Sequence, residues 1–492
     1  MSFCKEGFSV NGLRRGFVYN LLRFSVPTLV SAFAAIAIIP LVSHLLPADE
    51  YAKANLFCDY GSLLSILLLA GTDGAYIRFF HEVQDGRSRR MLFTKALATG
   101  LLSCIILSLP VILVFGNEVS TSLFGTDSKI PLVMLAGYTS SLIVYRLTSS
   151  GARLASNAKR YNVFQVSYIL INRLLYCFPM FLFGTYGSAI LFLTIAMLAL
   201  SGFSLLTDVH PIFCFSSSEQ KMVSYTTMIR YGMPNILMAV LLSLMSATNK
   251  TILANNGSFA EAGVYAMALT IANVFAFFPA AFGTYWSVYM YQNYKTHKRQ
   301  ICAMHDFTMV LSVILVTIIF LVQDVFYLAV GGEYKASQPY FMLVMLWPVQ
   351  SFLSETTSYG INLSSKTYLT LASSLVAWIM SFALCFLLVP CWGGMGAAIA
   401  FASGSIIVFV MRTLFAQRFY RTIMDFRRFA VSGVSIVALC AANIVLWSNF
   451  PVRLIVSLAA VLFACFVYRK RMSELCQMIK EALFGKDNPA HD

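Results

Sequence analysis

The stretch "LLRFSVPTLVSAFAAIAIIPLV" (residues 21–42) has a charged residue near its start, Arg23, and contains no further charge. Pro27 follows the arginine by four residues. About 20 mainly apolar residues are enough to cross a lipid bilayer as a helix. The spacing of this arginine and proline returns 207 positions later, in "MIRYGMPNI" (residues 228–236). The sequence therefore predicts a membrane-spanning helix and suggests that the chain contains an internal duplication.

The composition of the whole chain agrees with a membrane protein. Of its 492 residues, 59% are hydrophobic and only 11% are charged, whereas soluble domains carry about 25% charged residues. We predict an all-α polytopic membrane protein with about 14 transmembrane helices. The apolar stretches lie near residues 18–43, 55–78, 93–115, 131–152, 162–184, 187–207, 226–248, 261–286, 306–328, 339–361, 368–389, 394–415, 429–448 and 451–468.

The basic residues alternate along the chain in a way that predicts topology. Twenty-nine of the 35 lysines and arginines fall in segments that face one side if the N-terminus is cytoplasmic. Cytoplasmic loops of membrane proteins are enriched in Lys and Arg. The alternation predicts an even number of spans and cytoplasmic termini. It also accounts for most of the net charge of +14 without a nucleic-acid partner.

The repeated motif divides the chain into predicted lobes. A looser match places "EYAKANLF" (residues 50–57) against "VYAMALTI" (residues 264–271). We predict two six-helix lobes that are parallel repeats, followed by a further helix pair and a cytoplasmic tail. Parallel repeats are a known plan of transporters, which hold substrate where the repeats meet. The predicted boundaries are 1–215 for spans 1–6, 216–420 for spans 7–12, and 421–492 for the last pair and the tail.

The sequence shows no arrangement typical of an enzyme. The six histidines lie near loops or the tail without metal-ligand spacing, and the eleven cysteines are scattered without a C-x-x-C pair. The largest loops on the predicted outer side are only about ten to fifteen residues long, too short to build a catalytic site. We therefore expect neither enzymatic activity nor a metal or cofactor.

Ionisable residues inside the predicted spans are the candidates for function, because such residues are costly in lipid and usually face a cavity. Arg173 is the deepest of them, in the middle of span 5. The candidates for substrate binding are Arg23, Arg78, Arg146, Arg173, Arg230 and Lys250, and those for proton or sodium coupling are Asp59 and Asp73.

Each candidate also has a structural interpretation. Arginines near the ends of spans extend to the lipid headgroups and fix topology. Asp73 is equally a local partner of Arg78 or a helix cap, Lys250 an outer-boundary anchor, and Asp59 a polar group between helices.

The embedded charges are mostly cationic, which favours an anionic substrate. The planar guanidinium binds phosphate oxygens in a bidentate manner that lysine cannot reproduce. Pro27 and Pro234 are candidate hinges, since proline frees a backbone carbonyl and permits a bend. A fixed kink that helps packing is the alternative.

Several stretches resemble bacterial polysaccharide flippases of the O-antigen and capsule exporter type, within the multidrug/oligosaccharidyl-lipid/polysaccharide exporter superfamily. The resemblance covers roughly residues 15–415 and rests on the order of the motifs rather than on any single one. One departure is Asn249-Lys250, where the family often has an Asp-Arg pair, and this puts ion coupling at that position in doubt. The stretches are "LLRFSVPTLVSAF", "GTDGAYIRFF" (71–80), "NKTILANNGSFAEAGVYAMAL" (249–269), "GGEYKASQPYFMLVML" (331–346) and "PCWGGMGAAIA" (390–400).

The resemblance implies a location in the bacterial inner membrane, a substrate and a mechanism. Members of the family move an undecaprenyl-pyrophosphate-linked oligosaccharide from the cytoplasmic to the periplasmic leaflet by alternating access between two lobes. The pyrophosphate and sugars would enter a cationic cavity while the lipid tail stays in the bilayer. A polysaccharide polymerase and a chain-length regulator are then the expected protein partners.

The sequence leaves three other functions open. A cation-coupled multidrug exporter of the same superfamily would be expected to line its lobes with carboxylates, and embedded acids are scarce here. A membrane oligosaccharide polymerase or ligase needs a large outer loop. A purely structural partner in a polysaccharide assembly complex is the third.

Overall fold

The computed structural model describes residues 10–80, 82–83, 86–155, 157–207, 223–364 and 366–484, with the backbone alone at 10–25, 235, 284, 285, 288 and 470–484. Within these ranges every regular element is a helix, so the predicted all-α class is confirmed. The helices are α1 (Val10–Leu45), α2 (Ala48–Leu68), α3 (Thr72–Phe79), α4 (Gly86–Val114), α5 (Gly116–Phe124), α6 (Ile130–Leu154), α7 (Ala158–Leu170), α8 (Cys177–Phe183), α9 (Tyr186–Leu206), α10 (Tyr225–Asn256), α11 (Phe259–Val274), α12 (Phe277–Asn293), α13 (Lys298–Leu328), α14 (Gln338–Thr357), α15 (Tyr359–Leu363), α16 (Tyr368–Phe419), α17 (Phe426–Leu446) and α18 (Phe450–Phe484).

The chain is a polytopic membrane protein. Eleven helices of the described residues are long and apolar enough to cross a membrane, or twelve if the bent pair of α2 and α3 is one span. Two features explain the difference from the fourteen predicted stretches. The 52-residue helix α16 contains two of them, joined at Gly393, whose φ of 49° and ψ of −130° are not helical. The stretch at 339–361 forms α14 and α15 but is not among the eleven.

The chain forms two compact units, Met1–Ser243 and Leu244–Asp492. In the first unit α6 is the central helix and packs on α2, α4, α7 and α9. Small residues permit this close packing, as is usual between membrane helices. A Cβ on Gly61 would lie 2.4 Å from the Tyr138 ring, and one on Gly100 would lie 2.7 Å from Ile143.

In the second unit the central helix is α14, which packs on α11, α12, α13, α16 and α17. A buried polar network attaches the last two helices. The Arg453 guanidinium on α18 donates to the Phe320 carbonyl at 3.1 Å and pairs with the Asp324 carboxylate. On α17, the Asn443 amide donates to the Gln338 carbonyl at 2.9 Å. Both α17 and α18 contain candidate spans.

Corresponding features of the two units support the proposed duplication. The central helices are the fourth span of each predicted set, and each has a proline in its first turn, Pro131 in α6 and Pro339 in α14. Proline is favoured in the first turn of a helix because the backbone N–H groups of that turn have no acceptor within the helix. The second span is interrupted in each set, between α2 and α3 and between α11 and α12. The lobe boundaries predicted at 215 and 420 remain a proposal.

Candidate functional site

The second span is broken at Ala70 and Gly71. Both residues have a positive φ, 47° and 86°, and α3 continues from α2 at an angle of 58°. The break packs directly on α10, because a Cβ on Gly232 would lie only 2.1 Å from the Gly71 oxygen. Non-helical backbone at membrane depth occurs where it is buried in protein or lines a cavity, and interrupted spans mark binding sites in transporters.

A cavity of about 430 Å³ lies beside this break, inside the first unit. Both sides of the break contribute to its wall, together with α6 and α7. The lining residues are Ser62, Ser65, Ile66, Asp73, Ile77, Leu142, Tyr145, Arg146, Ser149, Ser150, Arg153, Tyr161, Gln165 and Tyr168.

The α6 wall follows from helical periodicity. Leu142, Arg146, Ser149 and Arg153 are spaced by four, three and four residues, which places them on one helix face. This face extends over roughly 16 Å at about 1.5 Å per residue, about half of a hydrocarbon core of roughly 30 Å. Since Arg153 ends α6 on the predicted cytoplasmic side, the cavity reaches from that side toward mid-membrane.

The cavity contains cationic groups without carboxylate partners. Arg146 Nη1 donates to the Ser65 hydroxyl at 3.2 Å, and this is its one polar contact among the described residues. The side chain of Arg153 is exposed and forms no hydrogen bond or ion pair with the residues that the structure describes. Because a guanidinium has five N–H donors, most of their donors are available to an anionic ligand.

Aromatic and amide side chains complete the wall. The Tyr145 and Tyr168 rings stack at 4.6 Å between centroids, with 12° between their planes. The amide of Gln165 donates to the Ser149 hydroxyl at 3.0 Å. Tyr145 is only 4% exposed, and its hydroxyl comes near Ser149 without a hydrogen bond of good geometry to any described residue.

Of the residues predicted from the sequence, the structure brings Arg146 and Asp73 into this cavity. Asp73 begins α3, where one carboxylate oxygen accepts from the Gly74 N–H at 2.8 Å. Sequence reasoning missed Arg153, because the alternation of basic residues places it in a predicted cytoplasmic segment. Its seven-residue spacing from Arg146, two helical turns, was the available signal.

The other predicted arginines lie elsewhere. Arg78 is exposed and pairs with Glu82 at 2.7 Å, and Arg230 is exposed on α10. The residues that follow these two arginines in the sequence pack together, since the ring centroids of Phe79 and Tyr231 lie 5.7 Å apart.

Arg173 lies in a π-helical turn, Ile171–Leu175, that follows α7. Its Nη1 donates to the Ser31 carbonyl of α1 at 3.3 Å. This contact ties α1 to the fifth span, and Arg173 is not part of the cavity wall.

Lys250 and Asp59 are also outside this cavity. Lys250 is 5% exposed in the second unit, next to Asn249, whose amide donates to the Ser381 hydroxyl at 3.1 Å. Asp59 is half-buried on α2. Their predicted roles in binding and ion coupling stay predictions.

The structure describes only part of the motif formed by Arg23 and Pro27. The side chain of Arg23 lies outside the described residues, while Pro27 is buried within α1 and Pro234 is half-buried within α10. Both helices continue through these prolines. Their use as hinges stays a prediction.

The second unit has an embedded arginine that sequence reasoning did not single out. Arg412 is half-buried on α16 and donates to the hydroxyls of Ser373 at 3.3 Å and Ser374 at 2.8 Å. It resembles Arg146 in having serine partners rather than a carboxylate among the described residues.

Comparison with known proteins identifies the fold. No protein-family model matches the chain, and no curated protein sequence does. An inward closed conformation of the lipid II flippase MurJ is similar, with a TM-score of 0.61 and 15% identity over 91% of this chain and 99% of that one. An inward-facing multidrug resistance MATE family transporter of the MOP superfamily matches with a TM-score of 0.54 and 15% identity over 85% and 98% of the two chains.

The protein therefore shares the fold of this flippase and of this transporter. At 15% identity the likeness concerns the fold. The expectation that the protein is not an enzyme stays a prediction.

Proposed function

We propose that this protein is a flippase that moves an undecaprenyl-pyrophosphate-linked oligosaccharide from the cytoplasmic to the periplasmic leaflet of a bacterial inner membrane, by alternating access. The observation that carries the proposal is the cavity with Arg146 and Arg153, which have no carboxylate partner in the described residues. Guanidinium groups suit the oxygens of a pyrophosphate.

The position of the cavity also supports the proposal. It reaches about half of the hydrocarbon thickness from the predicted cytoplasmic side, where the substrate starts. Its hydroxyl, amide and aromatic walls suit a polar headgroup. The fold is shared with a lipid II flippase. In this proposal, a periplasmic polymerase and its chain-length regulator take up the delivered oligosaccharide.

The test is surface polysaccharide in a strain that lacks its own repeat-unit flippase, at matched membrane levels of each variant. We expect Arg146→Ala to reduce surface polysaccharide by about 10-fold or more, because a hydrogen bond to a charged group contributes about 1.5–3 kcal/mol. Arg146→Lys should be intermediate, since lysine keeps the charge and loses the bidentate geometry. Arg427→Ala, at an exposed arginine of the second unit, is the matched control.

Normal polysaccharide from an Arg146→Ala, Arg153→Ala double variant would contradict the role of this cavity. The remaining predicted positions, Arg23, Arg78, Arg173, Arg230 and Lys250, are tested by alanine substitution in the same strain.

A cation-coupled multidrug exporter is the second candidate, and Asp73 on the cavity wall is the observation that favours it. In that case the protein would extrude a lipophilic cation such as ethidium, and Asp73→Asn would stop the efflux. If the protein extrudes ethidium and does not restore surface polysaccharide, the exporter function would replace the flippase proposal. Collapse of the proton and sodium gradients tests ion coupling through Asp59 or Asp73.

A further inference from the structure

The cavity presents hydrogen-bond acceptors as well as cations. One Asp73 oxygen accepts from Gly74, and the other faces no donor among the described residues. Gln165 uses its amide nitrogen on Ser149, which leaves its carbonyl oxygen without a donor within the same residues. The Tyr145 hydroxyl, in a side chain that is 96% buried, has no hydrogen bond of good geometry there.

An anion alone cannot satisfy this set of groups. Phosphate oxygens accept hydrogen bonds and suit Arg146 and Arg153, but they offer almost no donors to a carboxylate or an amide carbonyl. The Tyr145 hydroxyl is buried without a partner among the described residues, and a ligand that excludes water from the cavity would leave the half-buried acceptors of Asp73 and Gln165 in the same costly state. The ligand must therefore bring donors of its own beside its negative charge.

A sugar attached to a phosphate combines these properties. Its hydroxyl groups both donate and accept, so they can pair with Asp73, Gln165 and Tyr145 while the phosphate faces the arginines. A few convergent polar groups in a wall that includes aromatic rings are typical of small-molecule pockets, whose volumes are about 300–1,000 Å³. At about 430 Å³, this cavity suits the part of a headgroup nearest the phosphate rather than a whole oligosaccharide.

The geometry points to a sugar subsite formed by Asp73, Gln165 and Tyr145, which binds the pyranose attached to the pyrophosphate. This inference rests on the proposed function and goes further, because it assigns the recognition of the first sugar to named residues. It also gives Asp73 a role as a hydrogen-bond acceptor for sugar hydroxyls rather than as a carrier of protons or sodium.

The experiment measures binding of two lipids to the full-length protein by native mass spectrometry. One lipid is undecaprenyl pyrophosphate and the other is undecaprenyl pyrophosphate N-acetylglucosamine. The wild-type protein should bind the sugar-bearing lipid more tightly. Tyr145→Phe and Gln165→Leu should each reduce this preference, the ratio of the two affinities, by about 3- to 10-fold, the effect of one neutral hydrogen bond.

Asp73 is examined with two substitutions. Asp73→Asn keeps an acceptor oxygen and should preserve most of the preference, whereas Asp73→Leu should abolish it. Tyr231→Phe removes an exposed tyrosine hydroxyl in the same unit and is the matched control for Tyr145→Phe. Only variants whose purified protein unfolds at the wild-type temperature are compared.

The outcomes separate the sugar subsite from the proposed function. Unchanged preference in Tyr145→Phe and Gln165→Leu, with both lipids bound and both lost in Arg146→Ala, would overturn the subsite and leave the flippase proposal in place. Loss of both lipids in Tyr145→Phe would overturn the subsite as well, because the hydroxyl would then not discriminate the sugar. A wild-type protein that binds neither lipid would overturn both proposals.

Discussion

The contact between Gly71 and Gly232 gives the sharpest test of the packing around the broken span. In Gly232→Ala the added Cβ would lie 2.1 Å from the Gly71 oxygen, whereas ordinary contact begins at 3.4 Å. The backbone of α10 must then move by about 1.3 Å from the break. Neither group can rotate away, because the clash involves the main chain.

The expected cost is that of an overpacked helix interface, about 1–3 kcal/mol. This corresponds to a roughly 5- to 150-fold shift away from the packed arrangement. The assay is cross-linking of a Phe79→Cys, Tyr231→Cys pair with a short bis-maleimide reagent, since the centroids of the native rings lie 5.7 Å apart across this contact. Adding Gly232→Ala should lower the cross-linking yield and the unfolding temperature.

Gly74→Ala is the matched control, because a Cβ at that position meets nothing within 4 Å. Alanine also has the higher helix propensity, so Gly74→Ala should leave cross-linking intact. Unchanged cross-linking and stability in Gly232→Ala would show that α10 does not pack on the break in the way described.

Three further substitutions test the second unit by thermal unfolding of the purified protein. Arg453→Ala should destabilise it by about 1–3 kcal/mol, less than for a fully buried ion pair because Asp324 is 48% exposed; an unfolding temperature equal to that of Arg427→Ala would contradict this. Asn443→Ala should cost about 1–3 kcal/mol by removing its buried hydrogen bonds to the Gln338 carbonyl and from the Gln323 amide, and a neutral effect would refute that role. Gly393→Ala should destabilise the bend of α16, because its φ is 49° and a Cβ would lie 2.7 Å from the Glu261 carboxylate; wild-type stability would show that the bend tolerates a side chain.

The fold class was predictable because a membrane span leaves a strong signal in the sequence. Long apolar runs and the alternation of basic loops depend only on composition along the chain, and each of the fourteen stretches lies mainly in helix. The junction inside α16 was harder to read. Its two spans join at one residue with unusual φ and ψ rather than in a loop.

The candidate site was predicted only in part. Depth along the sequence singled out Arg173, but depth does not determine which neighbour a side chain faces, and this arginine bonds a main-chain carbonyl of α1. Arg146 and Asp73 line the same cavity, which lies beside the bend between α2 and α3. The contributions of Tyr145 and Gln165 depend on packing between α6 and α7, which one sequence alone does not specify.

The central position of α14 has a consequence for how the protein is made. A helix surrounded by protein does not need the apolar surface that lipid demands, and α14 carries Gln338, Gln350 and Glu355 and is not among the eleven candidate spans. During synthesis it leaves the ribosome before α16 and α17, two of the helices that later cover it. We expect a nascent chain cut after α14 to leave this segment outside the bilayer, so that its stable insertion waits for the helices that follow.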